Sequence, residues 1–62
     1  MGTEITLHEM VLCARRELAF RRRVYPRLVG NGKMSPEDAE HQIALMSAIL
    51  DNLQKQYQPD LF

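Results

Sequence analysis

The side chains in this chain that could perform chemistry are few. His8 and His41 are its only imidazoles and Cys13 its only thiol. General acid–base chemistry and metal binding both need such groups to converge within a few ångström. Here His8 adjoins Glu9 and His41 adjoins Glu40, and sequence neighbours do not share a helix face. No Ser-His-Asp or Cys-His grouping stands out, and a single cysteine permits no intramolecular disulfide. A chain of 62 residues is also expected to offer little room for a ligand pocket. The expectation is a protein that is not an enzyme and that uses no metal and no cofactor.

Charge is the next resource. Arg15, Arg16, Arg21, Arg22, Arg23 and Arg27 crowd the first half, and Glu37, Asp38, Glu40, Asp51 and Asp60 lie in the second, for a net charge of zero. Arg15, Arg16, Arg22, Arg23 and Arg27 are candidate contacts to phosphates or to an acidic partner. On a helix, Arg15 and Arg22 point one way while Arg16, Arg23 and Arg27 point another. Phe20 and Tyr25, the aromatic residues among them, look needed for packing. The acids of the second half would repel a phosphate chain laid alongside. Pairing with those acids, or a solvated face, is therefore preferred, and nucleic-acid binding stands as an alternative. Glu17 and Arg21 differ from the rest. They sit four apart with the acid first, the favoured order for an intrahelical pair, and both fall inside an apolar stripe. They are expected to form a partly buried ion pair that fixes register.

Two helices must position these groups. Thr6-Leu7-His8-Glu9 is a capping box, followed by Leu7, Met10, Val11, Ala14, Leu18, Tyr25 and Leu28 at three- and four-residue steps, one stripe on a helix. Cys13, Phe20 and Val24 widen it. Gly30-Asn31-Gly32 stops this helix. Ser35 caps the second, Pro36 fits its first position, and Glu37 and Asp38 suit its positive end. Ala39, Ile43, Met46, Leu50, Leu53 and Tyr57 form its stripe, widened by Ile49, until Pro59 forbids easy continuation. The helices are expected at about 7–29 and 36–57, each roughly 33 Å long at 1.5 Å per residue. Pro26 removes the amide that would bond the Arg22 carbonyl, so a kink or brief break is expected near residues 22–26.

Equal lengths joined by a short Gly-rich turn describe an all-α, antiparallel two-helix hairpin over residues 1–57, with residues 58–62 as an extended tail. The apolar face of the first helix is broader than one seam can cover, and a small core usually needs a staple. A second copy would supply it, giving a homodimeric four-helix bundle, and the alternative is a hetero-partner that covers the spare face. No apolar run approaches the roughly 20 residues that span a bilayer, and Met1-Gly2-Thr3-Glu4-Ile5 lacks the basic and apolar stretches of a signal peptide. A cytoplasmic location without membrane contact is expected.

The tail Gln58-Pro59-Asp60-Leu61-Phe62 is the sharpest feature. Leu61 and Phe62 offer two apolar side chains to a pocket, Gln58 can set register through amide hydrogen bonds, and Pro59 limits the entropy lost on docking. Alternatively, Leu61 and Phe62 fold back near Leu7 and Met10. This pentapeptide resembles the clamp-binding motif of bacterial replication and repair proteins, in which Gln leads, a small polar or acidic residue holds the third place and Leu-Phe closes. Gln58, Asp60, Leu61 and Phe62 match; the second place, often Leu in that family, is Pro59. The resemblance implies docking onto the bacterial DNA polymerase sliding clamp. Cys13 to Val29 and Gly32-Lys33-Met34-Ser35, followed by an acidic helix, resemble small bacteriophage and prophage proteins over about residues 10–53. That family has no established activity to transfer. Together these readings describe a phage-type, non-enzymatic binding protein that modulates host replication or repair. The alternatives are a nucleic-acid accessory protein acting through its arginines and a purely structural interaction hairpin.

Overall fold

A computed structural model describes residues 4–57, and the motif at 58–62 lies outside them. Two helices, α1 (Leu7–Gly30) and α2 (Pro36–Gln56), run antiparallel along a single seam, forming an all-α hairpin.

Local chemistry sets each boundary. At the start of α1 the Glu9 amide donates to Thr6 Oγ1 at 3.1 Å, and the Thr6 amide donates to Glu9 Oε1 at 3.3 Å. This closes the reciprocal capping box. At the start of α2 the Asp38 amide donates to Ser35 Oγ at 3.0 Å, with Pro36 at the first position.

The turn between the helices refines the sequence reading. α1 continues through Gly30, and Asn31 keeps a right-handed backbone (φ −90°), so neither adopts the left-handed conformation expected of the stop. Gly32 does, at φ +73°. Its amide donates to the Val29 carbonyl at 3.0 Å and the Lys33 amide to the Leu28 carbonyl at 2.8 Å. These are the paired 5→2 and 6→1 bonds of a Schellman motif, which satisfy carbonyls the helix would otherwise leave open.

Of the kink or brief break expected near residues 22–26, the break is absent: α1 is helical from Leu7 to Gly30 with Pro26 inside it. Pro26 and Arg22 are both on the exposed side of the helix. A carbonyl left without an amide partner at Pro26 costs less on that exposed side than it would in the seam.

Packing is narrow. Val11, Ala14 and Leu18 of α1 and Ala39 and Met46 of α2 are the buried hydrophobics among the described residues, and Ala14, Leu18 and Met46 form one cluster. Ile43, Leu50 and Leu53 pack partly buried against the cluster of Ala14, Leu18 and Met46. Ala14 and Ala39 have no bulk to hold the helices apart, so Leu18 and Met46 can interdigitate between them. Cys13, Phe20 and Ile49, which widen the stripes, stay outside this core, as does Met10 of the α1 stripe itself, whereas Val24 is half-buried. Phe20 is 44% exposed, Ile49 43% and Met10 39%, and Cys13 is also exposed. Two cylinders touch along one line, so side chains a quarter-turn from it stay outside.

Candidate functional site

The arginines spread over two flanks of α1. Arg15, Arg16, Arg22, Arg23 and Arg27 are all exposed. Their spacing puts Arg15 and Arg22 on one flank of α1 and Arg16, Arg23 and Arg27 on another. Arg23 lies over the Phe20 ring with its guanidinium carbon 5.9 Å from the centroid, within range of a cation–π contact.

Arg21 turns inward instead. Its Nε donates to Glu17 Oε2 at 2.9 Å, the pair expected from the four-residue spacing. Its Nη1 donates across the seam to the Gln42 main-chain carbonyl, also at 2.9 Å, and its guanidinium carbon stands 5.9 Å from the Tyr25 ring centroid. The Arg21 side chain is 19% exposed and that of Glu17 42%. The guanidinium is thus shielded and bonded to a fixed backbone acceptor, while the carboxylate stays half in water. This bond ties α1 to α2 at one register. The position of Arg21 in the apolar stripe announced an inward-facing charge, but a main-chain acceptor carries no mark in the sequence.

Among the described residues neither histidine belongs to a group of ligating side chains. The His8 ring lies 5.3 Å from Tyr57, tilted by 42°, which packs the open end of the hairpin. His41 is exposed on α2. Among the described residues no group of three or more His, Cys, Asp or Glu side chains could hold a metal ion.

The expectation of little pocket space needs correction. An open apolar groove of about 450 Å³ runs along one face of the hairpin, lined by Met10, Cys13, Glu17, Met46, Ile49 and Leu53, with Ala14 at its floor. A smaller depression of about 300 Å³ shares Cys13 and Glu17 with it and extends to Arg16 and Phe20. The groove exists because the apolar stripes are wider than the seam, a consequence of residues the sequence had assigned to the core. Leu45, 44% exposed, borders the same face on α2.

The clamp-like residues Gln58, Asp60, Leu61 and Phe62 lie outside the described residues. The helix that leads to them stops at Gln56, and Tyr57 has left helical geometry at φ −92°, ψ 87°. Among the described residues no helix is long and apolar enough to cross a membrane. No family model matches the chain, and comparisons with curated proteins and with solved structures returned no match.

Proposed function

We propose that this chain is a non-enzymatic binding protein of phage or prophage type. It docks Gln58-Pro59-Asp60-Leu61-Phe62 into the bacterial sliding clamp and so modulates host replication or repair. The observation that carries this reading is the motif itself, with Gln, Asp, Leu and Phe at the four positions that define it. Two features of the hairpin support it. α2 ends at Gln56, so the helical ladder is finished before the motif begins. The arginines divide the cations that the nucleic-acid alternative would need between two flanks of α1.

The test is a calorimetric titration of purified bacterial sliding clamp with the full chain and with a Leu61→Ala/Phe62→Ala variant. Two apolar side chains leaving a pocket, each worth about 1.5–3 kcal/mol, should weaken saturable binding at least about 100-fold. Far-UV circular dichroism of the variant should be unchanged. Absence of binding by the intact chain removes the proposal. Binding that survives the double substitution but falls steeply with salt would move the function to the arginines.

A further inference from the structure

We propose that the grooved face of the hairpin is a homodimer interface, closed by a second copy of this chain. This inference is independent of the clamp reading.

Most of the exposed large apolar residues gather on one face, while Leu12 lies on the outer side of α1 and Ile5 precedes that helix. Met10, Cys13 and Phe20 of α1 lie on the face that also carries Leu45, Ile49 and Leu53 of α2. The opposite face carries Arg15, Arg22, Glu40 and Asp51, all exposed. Two helices of this length present a face roughly 30 Å by 20 Å, near the area one partner contributes to a standard stable interface, about 800 Å².

Charge says which partner fits. Between Leu7 and Gly30, six arginines stand against Glu9 and Glu17, a net +4 with His8 neutral. Between Pro36 and Gln56, Glu37, Asp38, Glu40 and Asp51 stand against Lys55, a net −3 with His41 neutral. A two-fold axis parallel to the helices lays each α1 across the partner's α2, antiparallel to it. Around the resulting four-helix square the order is basic, acidic, basic, acidic, with like charges only on the diagonals. The surface is complementary to itself, as an isologous contact requires. Helix levels agree with this. Arg21 bonds the carbonyl of Gln42, so Arg27, six residues on, lies near the level of Asp38, and the two-fold brings Arg27 of one copy beside Asp38 of the other. Glu17 enters the interface already paired with Arg21, so no lone carboxylate is buried. The Cys13 thiols lie on α1 helices that face each other across the diagonal, and the dimer needs no disulfide.

The experiment is sedimentation equilibrium of the full chain under reducing conditions across a concentration series, with Cys13 labelling kinetics measured on the same samples. The expected result is a species of twice the 7.2 kDa chain mass, with labelling of Cys13 slowing at least tenfold as the dimer fills. Ile49→Glu, which puts two charges into the interface, should raise the dissociation constant at least about 100-fold, whereas Leu12→Glu on the outer side of α1 should leave it unchanged. Because a lone hairpin bearing Ile49→Glu could unfold, charge exchange supplies a second arm. Arg27→Asp should weaken the dimer several-fold, and Asp38→Arg in the same chain should restore it. A monomer at every concentration with freely labelled Cys13 overturns the proposal. So does a dimer indifferent to Ile49→Glu, which would use another face. Cys13 protection in a monomer that vanishes when residues 58–62 are deleted would also overturn it, by assigning the groove to the chain's own tail.

Discussion

Replacing Arg21 by Met removes the guanidinium while keeping most of its aliphatic stem, and separates two interactions that the structure joins. One is the bond from Nη1 to the Gln42 carbonyl, 2.9 Å long and made by a side chain only 19% exposed. A charge-assisted bond to a shielded acceptor is worth about 1.5–3 kcal/mol. The other is the ion pair with Glu17, whose side chain is 42% exposed. Solvent screening reduces such a pair to below about 1 kcal/mol. The Gln42 carbonyl keeps its place in the α2 ladder, so its loss of a second donor is mild. Arg21→Met is therefore expected to cost about 2 kcal/mol and Glu17→Gln well under 1 kcal/mol, with the double variant close to Arg21→Met alone. At this chain length about 2 kcal/mol lowers Tm by roughly 8–16 °C. The assay is thermal and urea unfolding followed by circular dichroism at 222 nm, at one fixed protein concentration because association would shift Tm. If Glu17→Gln destabilises as much as Arg21→Met, the cross-seam bond is not what holds the helices in register. A double variant much more stable than Arg21→Met would instead place the dominant cost in an orphaned Glu17 carboxylate.

The turn and the proline supply two further tests. Gly32 holds φ +73° with open space where a Cβ would stand. Gly32→Ala should thus cost about 1 kcal/mol through backbone strain alone, while Gly30→Ala, helical and equally open, should be neutral or stabilising by up to about 1 kcal/mol; matched urea titrations would show whether the two differ in sign. Pro26→Ala restores an amide for the Arg22 carbonyl inside α1 and should stabilise by about 1 kcal/mol or more. Slower hydrogen exchange over residues 22–27 would confirm it, and a loss of stability would mean that the proline's fixed φ matters more than the missing bond.

The comparison of sequence with structure divides by range. The capping box at Thr6 and Glu9, the Ser35-Pro36 start and the Glu17–Arg21 pair could all be read from sequence, because each involves groups within four residues of one another. The turn was located at Gly30-Asn31-Gly32, but which of the three takes the left-handed conformation was left open. Gly30, Asn31 and Gly32 can all take that conformation, and only the bonding of the Val29 and Leu28 carbonyls selects Gly32. Pro26 does not break α1, and a missing helix bond costs less where Arg22 and Pro26 are exposed, which is a tertiary property.

By itself the sequence determined two capped helices of matched length, the turn that folds one back on the other, and the peptide 58–62 on which the proposed function rests. Helical periodicity, caps and short motifs are local and carry their own physics. Only the tertiary structure decided which apolar residues share the seam and which line an open groove. Leu18 and Phe20 are both apolar and two positions apart, yet one is 6% exposed and the other 44%. The choice follows from where the second cylinder lies against the first, and that line of contact is set by Ala14, Ala39 and the reach of Arg21 to a backbone oxygen on the opposite helix.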